Sequence, residues 1–219
     1  MTNDDVTPMK RYLFLALVLM VALTGCKEKS GEEPKAEKMP AKGLAIDVDH
    51  FPDAVFRNAL KDREEGADGI LTDEEIDNLV ILDLSHTGLG DLHGIELLHN
   101  VSCLYLNGNM LTGMDLSFNK KLTEVDCTGC ERMKKITLGH QPLLEYINFS
   151  DTDVSEIDVT GCPRLTKLSC TNAPVAIIDL SQCTRLQEIC CDALLIPALD
   201  TSACPTVKFV DDSGHEIGI

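Results

Sequence analysis

The chain has 219 residues with 36 acidic and 19 basic side chains, and its formal net charge at pH 7 is -17. This negative charge repels phosphate backbones and anionic lipid headgroups. Nucleic-acid binding and membrane binding through basic patches are therefore both disfavoured. Cationic partners or divalent ions are favoured instead.

The first 25 residues are typical of a signal peptide. Lys10 and Arg11 precede an apolar run over residues 13–23. As a helix this run rises only about 16 Å, against a hydrocarbon core of about 30 Å, so it is too short to span a bilayer. Because the basic pair lies at residues 10 and 11, Met9 is an alternative start of the protein.

The apolar run ends in Leu23-Thr24-Gly25-Cys26, which resembles the lipobox of bacterial lipoproteins. The resemblance implies that residues 1–25 are removed and that Cys26 is acylated, so that this lipid alone would attach the chain to a membrane. An ordinary secretory cleavage site beside a chance cysteine is the alternative. Residues 26–43 are rich in Lys, Glu, Pro, Gly and Ala, which predicts a lipidated tether without a core.

Residues 44–80 predict two helices that flank a loop. Apolar residues recur at helical spacing on either side of Pro52, at Phe51, Val55, Phe56 and Leu60. A capping box, Thr72-Asp73-Glu74-Glu75, opens the second helix. The segment resembles the EF-hand-like caps that precede repeats in some bacterial surface proteins, which makes Asp68 and Glu75 candidate calcium ligands. Gly66 at the third loop position supplies no side-chain ligand, so no cofactor is expected and a purely covering role is favoured.

Apolar residues recur at a nearly fixed interval over residues 81–206, which indicates a repeat solenoid. The centres of one series are Leu82, Leu104, Val125, Ile147, Leu168, Ile189 and Val210, at spacings of 21 or 22 residues. A second series lies half a period out of phase, at Met114, Ile136, Ile157, Ile178 and Leu199. Alternation of apolar and polar residues within each run predicts short parallel strands that stack coil upon coil around a shared core.

Two segments, 104–109 (LYLNGN) and 114–119 (MDLSFN), resemble bacterial leucine-rich repeats of the internalin-like LxxLxLxxN and LxxLDLSxN kind. The resemblance implies a β-rich leucine-rich-repeat solenoid with a small α-helical N-terminal cap. It also implies a ladder of turn residues at Thr87, Asn109, Cys130, Thr152, Ala173 and Leu194. Because Ala173 and Leu194 cannot bond the backbone through their side chains, the ladder is expected to fail in the last coils. Residues 207–219 are expected to close the stack.

The chain has ten cysteines, so nine remain after Cys26. Three occupy a core position of the repeat, Cys127, Cys170 and Cys191. Three more form a column at one turn, with neighbours about 4.8 Å apart, at Cys162, Cys183 and Cys204. Free thiols are preferred in this column because its parallel side-chain directions make disulfide geometry uncertain. Cys103 and Cys190 fall at outward positions and are the expected reactive thiols.

The sequence contains no nucleophile elbow, zinc-binding helix or phosphate-binding glycine loop, and the repeat disperses its carboxylates. A binding scaffold is therefore expected and not an enzyme. Function is expected on the outward side of the first strand series, as the solenoid presents one row from each coil. These outward residues are Tyr105, Glu124, Asp126, Tyr146, Asn148, Lys167, Ser169, Glu188 and Cys190.

Three functions remain open. The first is a surface adhesin or receptor component that binds an unknown protein partner at the bacterial cell envelope, where an outer-membrane location is expected. The second is a periplasmic structural adaptor, which surface exposure would distinguish from the first. The third is a carbohydrate-active enzyme, which would need an outward pair of carboxylates. An unspecialised, solvated face is the alternative to all three.

Overall fold

The computed structural model describes residues 43–176, 178–192, 199–211 and 213–217. The expected signal peptide, Cys26 and all of the tether except Gly43 lie outside the described residues, as does the expected ladder position Leu194. Neither of the helices in the described part is long and apolar enough to cross a membrane.

A small cap precedes the repeats. Its helices are α1, Ala54–Lys61, and α2, Asp73–Asn78, and its two-residue strands are β1, Leu44–Ala45, and β2, Ile70–Leu71, which pair antiparallel. The aromatic rings of Phe51 and Phe56 are buried and meet edge to face at 5.2 Å. The expected capping box is confirmed, since Thr72 and Glu75 each accept a hydrogen bond from the other's backbone N–H.

Asp53 joins the cap to the first coil. Its Oδ1 accepts hydrogen bonds from the backbone N–H groups of Val55 and Phe56 at the start of α1. Its Oδ2 accepts hydrogen bonds from the N–H groups of Gly90 and Asp91, at 3.0 and 3.1 Å. Burial acts to raise the pKa of this carboxyl, but these four donors outweigh burial, so that the pKa lies below its ordinary value.

We expect Asp53→Ala to lower the free energy of unfolding by about 1–2 kcal/mol, because four backbone donors lose one shared acceptor. The stabilisation from the ionised carboxylate is present above its unfolded pKa of about 3.9 and is lost as the pH falls through the lower folded pKa. Urea unfolding at pH 7 and pH 3 measures both effects. A variant whose stability equals that of the native chain at pH 7 would contradict the expectation.

Seven parallel strands stack into the main sheet. They are β3 Ile81–Asp83, β4 Cys103–Tyr105, β6 Glu124–Asp126, β8 Tyr146–Asn148, β9 Lys167–Ser169, β10 Glu188–Cys190 and β11 Lys208–Val210. Each strand pairs with the strand of the next coil, so the predicted solenoid of short parallel strands is confirmed. The central residues of the strands point into one continuous core. A single coil could not bury this face without its neighbours.

The last strand differs by one residue from the expected register. Phe209 pairs with Ile189 and occupies the central position, whereas the sequence pattern placed Val210 there. The prediction for Val210 was therefore wrong. Val210 is nevertheless buried, because the chain returns and Glu216 forms an antiparallel bridge to it.

The second series forms the other side of each coil. β5, Gly113–Asp115, pairs parallel with β7, Lys135–Thr137. Ile157 and Ile178 continue this series as buried side chains, but the described residues beside them do not form strands. A short 3₁₀ turn, Ile95–Leu97, lies in the first coil before this series begins.

Two ladders of side chains bond the backbone at the turns between the two sides. In the first ladder, Asn109 Nδ2 donates hydrogen bonds to the carbonyl oxygens of Leu84 and Leu106, at 2.8 and 2.7 Å. Thr87, Cys130 and Thr152 likewise donate to backbone carbonyls. Ala173 is buried at the next position, and its methyl group cannot donate a hydrogen bond.

The second ladder begins with amides and continues with cysteines. Asn119 Nδ2 donates to the carbonyls of Ile95 and Leu98, and Gln141 Nε2 donates to those of Leu116 and Leu138. The next three positions are the buried free thiols Cys162, Cys183 and Cys204. Cys183 keeps the pattern, since its Sγ donates to the carbonyl of Val159 at 3.5 Å.

Burial disfavours the thiolate form in this column. It raises the pKa of Cys162 to about 12 and that of Cys183 to about 11. We expect iodoacetamide at pH 8 to modify the partly exposed Cys103 about a hundredfold faster than the thiols of the column. Mass spectrometry of the labelled peptides, with a urea-unfolded sample as the fully reactive control, measures the rates. Equal labelling of Cys103 and Cys162 in the native protein would show that the column is open to solvent.

Candidate interaction face

The outward side chains of the main sheet form two rows, which we call the outer face. Backbone pairing aligns the first row as Ile81, Cys103, Glu124, Tyr146, Lys167, Glu188 and Lys208. It aligns the second row as Asp83, Tyr105, Asp126, Asn148, Ser169, Cys190 and Val210. All nine outward residues expected from the sequence lie in these rows, so the structure brings them together on one surface.

Two tyrosines and two carboxylates share the middle of the outer face, on three consecutive coils. Tyr105 lies on β4, Glu124 and Asp126 on β6, and Tyr146 on β8, and all four are partly buried. Burial, followed by the negative charge of Glu124, raises the pKa of Tyr105. Burial, followed by the charge of Asp126, raises the pKa of Tyr146. We call these four residues the tyrosine–carboxylate cluster.

The next two coils place a lysine between an aromatic ring and a carboxylate. The Lys167 ammonium lies 5.8 Å from the centre of the Tyr146 ring and forms an ion pair with Glu188. The hydrogen bond to Glu188 is the main reason that the pKa of Lys167 is raised. Tyr146, Lys167 and Glu188 therefore form an internal cation–π and ion-pair arrangement along the first row.

The C-terminal segment forms a wall at one end of the outer face. Asp211 N–H donates to the carbonyl of His215 and Ile217 N–H donates to that of Phe209, so the chain returns beside β11. A cavity of about 490 Å³ lies against this wall, and its lining includes Asn148, Ser169, Cys190, Asp211 and Ser213. Ser169, which is part of this lining, is only 4% exposed.

The charges of the outer face are unevenly matched. Its two lysines are neutralised within the chain, because Lys167 pairs with Glu188 and Lys208 pairs with Glu216. Glu124 and Asp126 have no ion-pair partner among the described residues. The middle of the face therefore presents unneutralised negative charge beside two aromatic rings.

The remaining candidate residues lie away from this face. The Asp68 carboxylate accepts a hydrogen bond from the N–H of Ile70, and Glu75 is held by Thr72 in the capping box. Within the described ranges, no three His, Cys, Asp or Glu side chains are grouped so that they could hold a metal ion. The two outward thiols have polar neighbours: Cys103 Sγ lies 4.0 Å from Thr123 Oγ1, and Cys190 Sγ donates to the carbonyl of Asp211.

Sequence reasoning identified the rows but missed two features of the face. The pairing of each tyrosine with a carboxylate on the neighbouring strand becomes visible when the repeats are aligned at the strand residues. The wall formed by residues 211 and 213–217 has no such signal, because the return of the chain lies outside the repeat.

No protein-family model and no curated protein matches the sequence. Among solved structures, the chain is similar to a functional domain of InlJ from Listeria monocytogenes that includes a cysteine ladder, with 21% identity, 77% of this chain covered and a TM-score of 0.38. The chain spans 47% of the length of that InlJ domain.

Two further internalins from the same species are also similar. For internalin C2 the identity is 20%, with 76% of this chain and 86% of that chain covered and a TM-score of 0.46. For the internalin InlF the identity is 15%, with 76% and 70% covered and a TM-score of 0.33.

Proposed function

We propose that the chain is a lipid-anchored protein of the bacterial cell envelope that binds a protein partner on its outer face, as a surface adhesin or receptor component. The observation that carries this proposal is the tyrosine–carboxylate cluster at the centre of a regular parallel sheet. Tyrosine supplies a large contact area with few rotatable bonds and is enriched in the cores of protein interfaces. The stacked strands fix the backbone beneath it, so that little conformational freedom is lost on binding.

The first experiment tests whether the protein is exposed on the cell surface. Intact cells of the native host are treated with protease, and the protein is followed by immunodetection beside a Cys26→Ala variant that cannot be acylated. Removal of the repeats by protease, with release of the Cys26→Ala variant from the membrane fraction, supports a lipid-anchored surface protein. Protection of the repeats would contradict the adhesin role and favour a periplasmic adaptor.

The second experiment tests whether the partner binds on the outer face. Chemical cross-linking on cells captures partners of the native protein, of a Tyr105→Ala/Tyr146→Ala variant and of a Phe118→Ala control. Phe118 is 67% exposed and lies on a turn away from the outer face. We expect the double variant to lose the cross-linked partner and the control to retain it. A partner captured equally by all three proteins would place binding elsewhere on the molecule.

A further inference from the structure

We propose that the partner inserts a basic side chain, best satisfied by arginine, into the tyrosine–carboxylate cluster. This inference rests on the proposed function and adds the chemistry of the partner. It requires that the cluster attract a cation, that the chain not already supply that cation beside Tyr105, and that the chemistry of the cluster suit a flat, charged group.

The charge requirement is met by β6. Glu124 and Asp126 lie at its two outward positions, and among the described residues neither forms an ion pair. The two lysines of the outer face form ion pairs within the chain, Lys167 with Glu188 and Lys208 with Glu216. The chain as a whole carries a net charge of -17 and so attracts cationic partners over distance.

The neighbouring coils show the complete form of the same arrangement. Lys167 places its ammonium over the ring of Tyr146 and against the carboxylate of Glu188. Tyr105 has two carboxylates beside it on the next coil, Asp126 in register and Glu124 diagonally. Its other neighbours are Asp83 in register and Cys103 along the strand, and neither is a cation. The cation that completes the arrangement at Lys167 is therefore missing from the described residues around Tyr105.

The chemistry of the cluster favours arginine over lysine. Tyr105 lies in the second row on β4 and Tyr146 in the first row on β8, with the two carboxylates of β6 between the two strands. A guanidinium is planar, so it stacks on aromatic rings and donates two parallel hydrogen bonds to one carboxylate. An ammonium is a compact charge that does neither.

The chain provides its own optical probe of this site. It has no tryptophan and three tyrosines, of which Tyr105 and Tyr146 are in the cluster and Tyr12 lies in the expected signal peptide. In a Tyr12→Phe background of the full chain, all tyrosine fluorescence arises from the cluster. We would titrate this protein with the aromatic-free peptide acetyl-Ser-Gly-Arg-Gly-Ser-amide and with the same peptide carrying citrulline, which has the shape of arginine without its charge.

We expect a saturable fluorescence change with the arginine peptide, a Kd that rises with salt, and binding about tenfold weaker for the citrulline peptide. Glu124→Gln/Asp126→Asn should weaken arginine binding by about tenfold or more. Glu131→Gln/Glu156→Gln, which removes the same charge from exposed positions outside the two rows, should leave the Kd within about twofold.

Equal binding of the arginine and citrulline peptides, or equal effects of the two double variants, would overturn the inference while a binding face remained. Absence of a saturable change with the arginine peptide would also overturn it. The proposed function fails in a different experiment, when cross-linking of the cellular partner is unaffected by loss of Tyr105 and Tyr146. The two failures are therefore distinguishable.

Discussion

Replacement of Asn109 by alanine is expected to lower the free energy of unfolding by about 2–4 kcal/mol, although the side chain lies at a turn. Asn109 is 5% exposed, and its Nδ2 donates to the carbonyls of Leu84 and Leu106. Its Oδ1 accepts a hydrogen bond from the N–H of Leu89 at 3.0 Å. Alanine leaves the buried N–H of Leu89 without a partner, and an unsatisfied buried group costs about 1–3 kcal/mol. It also removes one of two donors from the carbonyls of Leu84 and Leu106, which keep only Thr87 and Cys130.

Urea unfolding followed by far-ultraviolet circular dichroism measures this loss. Asn58→Ala is the matched control, because Asn58 is exposed on α1 and alanine is the better helix former there. We expect the control to change stability by no more than about 0.5 kcal/mol in either direction. Equal stability of Asn109→Ala and the native protein would mean that water replaces the amide at the turn.

The solenoid could be predicted from the sequence because one physical requirement repeats in every coil. Each strand must bury its central residue, so Leu104, Val125 and Ile147 recur at nearly constant spacing. The rule fails where two adjacent residues are both apolar, as at Phe209 and Val210. There the returning chain covers Val210 from outside, so that an outward residue is buried as well as the central one, and alternation no longer distinguishes the two.

The ladders show a second limit of sequence reasoning. Resemblance to known repeats identified the column that contains Asn109, but the column that contains Asn119 and Gln141 uses different residue types for the same hydrogen bonds. An asparagine, a glutamine and the thiol of Cys183 each donate to a backbone carbonyl. The regular spacing of Cys162, Cys183 and Cys204 identified this column as one turn position, but the mixture of residue types gave no signal that its members bond the backbone.

The candidate site was only partly predictable for a related reason. Strand register follows from the repeat, so the sequence places Tyr105 beside Asp126 and Glu124 beside Tyr146. Whether a carboxylate is neutralised depends on long side chains and on segments outside the repeat. Lys208 is paired with Glu216 only because the chain returns after β11, and the sequence pattern contains no signal for that return.

The largest loss of stability is expected from Phe149→Ala, at about 3–5 kcal/mol. Phe149 has no exposed surface and occupies the core column between Cys127 and Cys170, which are one coil away on either side. The backbone continues the parallel pairing there, since Phe149 N–H donates to the carbonyl of Ser169. One large ring thus lies between two small thiols, and the thiols cannot fill the volume that the ring leaves.

Phe118→Ala tests whether this loss comes from burial, because it removes the same ring from a position that is 67% exposed. We expect the control to remain within about 0.5 kcal/mol of the native protein in urea unfolding. Phe149→Leu, which retains much of the volume, should recover more than half of the loss. Similar losses for Phe118→Ala and Phe149→Ala would contradict the buried column. Because the affected coil carries Tyr146, unfolding of Phe149→Ala followed by tyrosine fluorescence should report the same midpoint as circular dichroism if the coils unfold together.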